Sequence, residues 1–316
     1  MPPLQHRLGG VGEFLTKGEK AQVASSARMV AQYHALSSAL KGAFELTPKV
    51  LEGLGLPSEN SQVVIAGGDD VMLVAPAWWK VGSERRDVFS LVSSLADRIE
   101  GEFTSAALCG HFTEARDAVV LAKVRALGAG FGVVVTRSLP AGFCFDYAHR
   151  LVRLAKEGIQ GDDRSAVDFR FLLGGTALSG GVEAIEAAKR QLDLGSIRGD
   201  VQLSQRPYGL GRFKALLEKS RALRGLGLSR SALYRLRGML VEPTTGVIEA
   251  RYAIARDAKL AAALGDTDSD GGAVLGLSEW VLRREDATTW ATALPDLIDV
   301  LRVVGDDAGE TSEVRE

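Results

Sequence analysis

Apolar residues recur at helical spacing in three parts of the chain. Between about Glu19 and Phe44 they stand three and four residues apart, which predicts an amphipathic helix. A second helix is predicted over residues 85–103 and a third over residues 145–158, where glycine ends the pattern as it often does. The predicted apolar face of the first helix contains Val23, Met29, Val30, Tyr33, Leu36, Leu40 and Phe44, and that of the second contains Val88, Leu91, Leu95 and Ile99.

Short continuous apolar runs predict the β-strands. Val63–Ile65 and Val71–Val74 are such runs, and they flank the sequence Gly-Gly-Asp-Asp at positions 67–70, which predicts a hairpin with a tight turn. Further strands are predicted over residues 130–138 and 166–175. The order helix, hairpin, helix, strand, helix, strand favours an α+β fold, in which helices cover one face of a mostly antiparallel sheet.

The pattern changes near residue 206. From there to about residue 305, helical segments alternate with Gly and Pro, which predicts a smaller C-terminal α-helical domain. The last residues are acidic and poor in apolar side chains, which is typical of a frayed tail. We therefore predict an α+β domain over residues 1–180, a linker over 181–205, a helical domain over 206–305 and an acidic tail over 306–316.

Composition narrows the class of protein but not its chemistry. The 316 residues are 46% hydrophobic and 25% charged, which is ordinary for a folded globular chain and excludes fibrous and disordered classes. The net charge of −2 gives the whole protein no general attraction for nucleic acid.

Cys109 and Cys144 are too few for a disulfide framework, so we expect buried thiols. No apolar run approaches the roughly 20 residues of a membrane span, and the first residues lack a signal-peptide pattern, so we expect a cytoplasmic protein.

The Gly-Gly-Asp-Asp turn is the strongest candidate for chemistry. Gly67 and Gly68 accept positive φ and let another group approach the backbone closely. Asp69 and Asp70 would project from the hairpin tip, and paired carboxylate oxygens are ligands that Mg²⁺ prefers. A polar hairpin turn without a ligand has the same composition. The apolar flanking strands suggest a central hairpin, where a cation would relieve the repulsion between the two carboxylates.

Six segments in a fixed order resemble one family. They are "VVIAGGDDVMLVAP", "GFGVVVTRSLP", "YAHRLVRLAK", "VDFRFLLGG", "RPYGLGRFKALLEKSRAL" and "RSALYRLRGML". Together they resemble the second palm domain, and the region after it, of the large polymerase/cyclase subunit of type III CRISPR effector complexes. The resemblance implies a ferredoxin-like palm that binds ATP and Mg²⁺ or Mn²⁺ and joins AMP units into cyclic oligoadenylate second messengers in antiviral defence.

The resemblance also assigns roles to residues. By motif, Gly67 and Gly68 would approach the triphosphate, and Asp69 and Asp70 would be the catalytic, metal-holding carboxylates. Lys156 matches a position where related palm cyclases place a lysine on phosphates; a solvated lysine on a helix is the equal alternative.

One part of the family pattern is missing. Palms of this family carry aspartates in a D-x-D-x-x-G pattern before the first helix, whereas this chain has "RLGGVGEF", with Arg7 and Gly9 at the expected carboxylate positions. Two hypotheses therefore stay open. The first is a nucleotidyltransferase that works as a homodimer or with partner chains. The second is a catalytically degenerate structural subunit of a type III-like complex, which would bind other effector subunits and the guide/target RNA complex.

A basic segment is the remaining candidate for binding. Residues 206–237 contain nine Lys or Arg side chains and one acid, Glu218. Such a face could touch RNA or an acidic partner, or it could be the solvated side of helices. The calcium-like sequence at residues 266–272 has Leu277 at its twelfth position, where such loops need glutamate, so we predict an exposed loop there.

Overall fold

The protein combines α-helices with short β-strands, so the α+β class is confirmed. It divides into two compact units: unit 1 lies within Met1–Trp79 and Leu91–Ala129, and unit 2 within Lys80–Ser90 and Gly130–Glu316. The computed structural model describes residues 26–67, 70–113, 117–137, 139–159, 163–172, 201–202, 204–227, 230–241, 249, 253–254, 256–264, 283–284 and 290–304.

Unit 1 contains helices and one β-hairpin. In chain order its elements are α1 (Ser26–Phe44), α2 (Pro48–Gly53), β1 (Gln62–Gly67), β2 (Asp70–Val74), most of α3 (Val88–Thr104), α4 (Ala106–Cys109) and α5 (Ala118–Arg125). A short 3₁₀ turn, Ser58–Asn60, precedes the hairpin.

Helix α3 buries the face that the apolar spacing predicts. Of the four predicted residues, Leu91, Leu95 and Ile99 are buried and Val88 is half-buried. The helix begins at Val88 rather than at residue 85, because residues 84–87 form a strand and Asp87 then caps the helix. The Oδ1 atom of Asp87 accepts a hydrogen bond from the backbone N of Ser90 at 2.8 Å. A carboxylate at this position satisfies an N–H group that has no partner within the helix.

The predicted face of α1 is only partly correct. Leu36 is buried as expected, but Val30 and Tyr33 are 50% and 56% exposed. Gln32 is buried instead, and its Nε2 atom donates a hydrogen bond to the carbonyl O of His111, which follows α4, at 3.0 Å. The helix therefore turns a polar side chain inward, because a backbone carbonyl at the packing surface needs a donor.

The predicted hairpin is present, and its strands pair antiparallel with Gly67 opposite Asp70. Among the described residues β1 and β2 form a two-stranded sheet of their own, so the central position expected from their apolar sequence is not observed there. Val64, Ile65 and Val74 are exposed. A lone two-stranded ribbon cannot bury both of its faces.

Unit 2 holds the remaining strands and the longer C-terminal helices. Residues 78–87 form a hairpin of β3 (Trp78–Val81) and β4 (Glu84–Asp87). The first two residues of β3, Trp78 and Trp79, belong to unit 1. The later elements are β5 (Gly130–Thr136), α6 (Ala141–Glu157), β6 (Ala166–Leu172), β7 (Val201–Gln202), β8 (Tyr208–Gly209), α7 (Leu210–Gly225), α8 (Arg230–Val241), α9 (Ala258–Leu264), β9 (Arg283–Arg284), β10 (Trp290–Ala291) and α10 (Leu294–Val300).

The main sheet of unit 2 has the order β5-β6-β8. Strands β5 and β6 are parallel along their whole length, which corrects the mostly antiparallel sheet expected from the sequence. The cause is α6, because a helix between two neighbouring strands returns the chain to the end where it started. Strand β8 pairs antiparallel with β6, so the start of the predicted helical region joins this sheet. A second three-stranded sheet, built from strands of two residues each, has β10 between β7 and β9.

Helix α6 lies unusually close to β5, and glycines allow this. A Cβ atom added to Gly132 would collide with the carbonyl O of Ala148 and would lie 2.8 Å from the backbone N of Val152. Gly130, on the same face of β5, faces the stem of Lys156 and the carbonyl O of Val152. Helix α6 ends at Glu157 and Gly158 follows as its cap, as predicted.

Aromatic rings fill the core of unit 2. Phe89, Phe169 and Phe213 are fully buried, and the Phe89 ring centroid lies 5.2 Å from that of Phe169.

Cys109 and Cys144 are unpaired and half-buried, not fully buried as expected, and burial raises the pKa of the Cys144 thiol.

Within the described ranges, no helix has the length and apolar character needed to cross a membrane.

Candidate functional site

The Gly-Gly-Asp-Asp sequence spans the reversal of the β1–β2 hairpin. Gly67 is the last residue of β1 and Asp70 is the first residue of β2, and they are paired across the ladder. Gly68 and Asp69 lie outside the described residues. Because Gly67 has no side chain, the position opposite Asp70 in the ladder offers only backbone.

The register assigns the hairpin residues to two faces. Val63 opposes Leu73, so these side chains share one face, and Val71 lies on the same face of β2 as Leu73. A bulge between Val63 and Ile65 moves Ile65 onto the other face, opposite Met72.

Asp70 lies at the tip of that second face, two residues from Met72 and four from Val74 along β2. Ile65 and Val74 on this face are 43% and 47% exposed. The Asp70 carboxylate therefore stands at the end of an exposed apolar strip, which we call the hairpin strip: Ile65, Met72 and Val74.

Lys156 lies in the last turn of α6, in unit 2, whereas Asp70 belongs to unit 1. Its stem is half-buried against the first residue of β5, since a Cβ atom on Gly130 would lie 2.7 Å from its Cγ. The aliphatic stem of Lys156 is packed, and its charge is carried by the ammonium group at the end of the side chain. Each residue is thus placed within its own unit.

The hairpin supplies too few carboxylates for a closed metal cage, but their number suits a magnesium ion. Among the described residues, no group of three or more His, Cys, Asp or Glu side chains could hold a metal ion. Mg²⁺ rarely needs such a cage, because it usually binds one or two carboxylates and completes its shell with water and substrate phosphates. Asp70 and its sequence neighbour Asp69 supply that number of carboxylates.

The basic segment 206–237 is largely engaged within unit 2. Five of its arginines bind carboxylates, backbone carbonyls, a side-chain amide and a hydroxyl, and its aromatic residues Tyr208 and Phe213 are buried. The contacts are Arg206 with Asp296 at 2.9 Å, Arg212 with Gln205, Arg221 with Ser90 at 2.8 Å, Arg224 with the carbonyls of Leu301 and Val304, and Arg237 with Asp299 at 2.6 Å. Much of the positive charge therefore stabilises the fold.

A buried polar cluster around Asp296 escaped prediction from the sequence. Asp296, on α10, is fully buried and accepts hydrogen bonds from Tyr208 Oη at 2.7 Å and from the backbone N of Gln205 at 3.1 Å. Arg206 pairs with the same carboxylate, and Ser204 donates to it at 3.1 Å. Burial, and then the negative charge of Asp296, hold the pKa of the Tyr208 phenol well above its usual value.

A second buried carboxylate, Asp168, lies on β6. Arg170 Nη1 donates to its Oδ1 atom at 2.6 Å. Burial raises the pKa of Asp168, and the charges of Arg170 and Arg206 oppose that rise. Asp168 and Asp296 thus face arginines, and removing one partner of such a pair would be strongly destabilising because it leaves a buried charge uncompensated. We therefore regard the Asp296 cluster as an anchor that joins residues 204–208 to α10.

Comparison with known proteins does not identify the chain: no protein-family model matches it, and no curated protein matches it.

Proposed function

We propose that the chain is a palm-type nucleotidyltransferase related to the large subunit of type III CRISPR effector complexes. In this proposal it binds ATP and Mg²⁺ or Mn²⁺ at the β1–β2 hairpin in the cytoplasm and makes cyclic oligoadenylate-type second messengers in antiviral defence. The observation that supports it is the register of the hairpin, in which Gly67 opposes Asp70 and the Gly-Gly-Asp-Asp sequence forms the reversal. The predicted hairpin, helix, strand, helix and strand also occur in that order, as β1–β2, α3, β5, α6 and β6, although the β3–β4 hairpin and the helices α4 and α5 are inserted between them.

The chain's own residues would perform three tasks. Asp69 and Asp70 would hold the metal ion, which, when bound, neutralises charge on the transferring phosphoryl group. Gly67 and Gly68 would let the triphosphate approach the backbone. Lys156, whose stem is already held against β5, would bind phosphate oxygens with its ammonium group.

The missing first-strand carboxylates shape the proposal. Arg7 and Gly9 stand where the family has aspartates. In addition, one palm alone supplies half of a site in which two nucleotides face each other, so a second chain, either another copy or a partner subunit of the effector complex, would have to bring the second nucleotide into position. Activity is expected from an assembly and not from the isolated monomer.

The test separates ATP binding from turnover. Calorimetry with the full chain, a non-hydrolysable ATP analogue and Mg²⁺ should detect binding that chelation with EDTA abolishes. The double variant Asp69→Asn with Asp70→Asn should lose metal-dependent binding. A matched control exists in the second Gly-Asp-Asp sequence of the chain, at positions 305–307, where Asp306→Asn with Asp307→Asn should bind like wild type.

Turnover is then measured with labelled ATP, with and without candidate partner subunits and target RNA. Cyclic oligoadenylate formed by wild type and lost in the Asp69/Asp70 double variant would support the enzyme. Binding of the ATP analogue that is equal in wild type and in this double variant would refute the site itself.

The exposed hairpin strip favours a second candidate, a structural subunit without catalysis. Ile65 and Val74 are apolar and nearly half exposed, and no third strand pairs with the hairpin in the described part of the chain. Such a surface suits contact with another protein. Co-purification with effector subunits that Ile65→Lys abolishes, together with unaltered binding by Asp69→Asn, would favour this candidate. Retention of partners by Ile65→Lys would count against it.

A further inference from the structure

Tyr234, on α8, presents a half-exposed aromatic ring that is backed by an arginine. Tyr234 as a residue is 49% exposed. The Arg302 Cζ atom lies 5.4 Å from its centroid and 5.9 Å from the centroid of Phe171, so the guanidinium contacts both rings. This cation–π arrangement places a cation against the Tyr234 ring, while about half of the residue's surface stays open to solvent.

Asp299 holds the cations around this ring in place. Its Oδ1 atom lies 3.6 Å from Arg302 Nη2 and accepts a hydrogen bond from Arg237 Nη1 at 2.6 Å. The side chain of Arg237 is still 37% exposed. Since one carboxylate faces two guanidinium groups, the local balance of charge stays positive.

The helix leaves an open place beside the ring. Gly238 follows Tyr234 by one turn of α8, and a Cβ atom added to it would meet nothing within 4 Å. A side chain at that position would normally cover the neighbouring ring, because residues four apart share a helix face. Arg235, which directly follows Tyr234 along α8, is exposed.

A flat ring with open space beside it and guanidinium groups around it has the features that bind unpaired nucleotides. Bases stack on aromatic side chains, and arginines take the phosphates. We propose that Tyr234, backed by Arg302, with Arg237 on the same face of α8 and the exposed Arg235 on the adjoining face, is a stacking platform for a base of single-stranded nucleic acid. An acidic protein surface would use the same arginines but would not need the ring.

The proposal is independent of the proposed nucleotidyltransferase function. All four residues belong to unit 2, and the Asp69/Asp70 double variant should leave this binding unchanged. Loss of one activity can therefore be distinguished from loss of the other.

The experiment uses the full chain and a fluorescein-labelled, unstructured RNA of about 12 nucleotides, comparable to the site sizes of single-strand binders. Fluorescence anisotropy at low salt measures Kd. We expect Tyr234→Ala to weaken binding about tenfold or more, the loss typical of removing one stacked base. Tyr234→Phe keeps the ring and should bind like wild type. Tyr33→Ala, which removes the exposed tyrosine of α1, is the matched control and should have no effect.

Two further arms identify the ligand. A DNA strand of the same sequence distinguishes RNA from DNA, since the stacking platform alone accepts both. Arg235→Gln should reduce the slope of log K against log salt by about 0.7, as expected for one lost phosphate contact on a single strand.

Three outcomes would overturn the proposal. They are the absence of RNA and DNA binding by wild type, equal binding of a blunt RNA duplex, and unchanged affinity of Tyr234→Ala. If Tyr234→Ala fails to fold, Tyr234→Leu replaces it, because leucine keeps apolar cover over Arg302 without a stacking ring. Wild-type affinity in Tyr234→Leu would likewise overturn the proposal.

Discussion

Replacing Gly132 by alanine should separate α6 from β5. The new Cβ atom would collide with the carbonyl O of Ala148 and lie 2.8 Å from the backbone N of Val152 and 2.9 Å from Leu151 Cβ. Two of these three atoms are helix backbone, which cannot rotate away, so the whole helix would have to shift. Overpacking of this kind costs about 1–3 kcal/mol, and the rigid obstacle places Gly132→Ala toward the upper end of that range.

Two neighbouring glycines calibrate this estimate. Gly130→Ala meets mainly the flexible stem of Lys156 at 2.7 Å, together with the carbonyl O of Val152 at 3.0 Å, so its cost should be smaller. Gly238→Ala, inside α8, meets nothing within 4 Å and should stabilise the protein by about 1 kcal/mol through helix propensity. The expected order of stability is Gly238→Ala, wild type, Gly130→Ala and then Gly132→Ala.

Urea unfolding of the four proteins, followed by circular dichroism, measures this order. The midpoint should move while the slope m stays constant, because the surface exposed on unfolding hardly changes. The reasoning about close helix–strand contact is refuted if Gly132→Ala unfolds at the wild-type urea concentration, or if Gly130→Ala is the more damaging change.

Other predictions concern the buried polar groups and the cap of α3. Tyr208→Phe removes a donor from the buried Asp296 carboxylate and should cost about 1–3 kcal/mol in urea unfolding; an unchanged midpoint would contradict the anchor role of this cluster. The folded-state pKa of Tyr208 is raised. The stabilisation that its neutral phenol supplies is therefore present below the unfolded-state pKa of about 10 and is lost as the pH rises through the higher folded-state pKa. The free energy of unfolding of Tyr208→Phe should accordingly change less with pH above about 10 than that of wild type. Asp87→Ala removes the cap of α3 and should cost about 0.5–2 kcal/mol, with Asp87→Asn closer to wild type in the same assay.

Much of the local structure followed from residue patterns. The β1–β2 hairpin, the buried face of α3 and the end of α6 at Gly158 were predicted correctly, because β-branched runs, helical spacing and glycine act through neighbouring residues. The reversal within Gly-Gly-Asp-Asp was predicted for the same reason. The roles of Asp69, Asp70 and Lys156 in nucleotide chemistry remain predictions.

Long-range contacts could not be predicted in this way. A spacing pattern shows that α1 has an apolar face, but not that a carbonyl at His111 would draw Gln32 inward. The basic residues of segment 206–237 gave no sign of which carboxylates would pair with them. Asp296, for example, is 88 residues from Tyr208, and nothing in either local sequence links them.

From its residue order alone, this protein is an α+β chain with a Gly-Gly-Asp-Asp hairpin, because these features depend on backbone preferences within a few residues. Tertiary packing decided that β5 and β6 run parallel, that several arginines serve the fold, and that Tyr234 meets Arg302. The physical reason is that a buried charge or an aromatic ring is stabilised by whichever partner the folded chain brings within a few ångströms, and sequence distance carries no information about that partner.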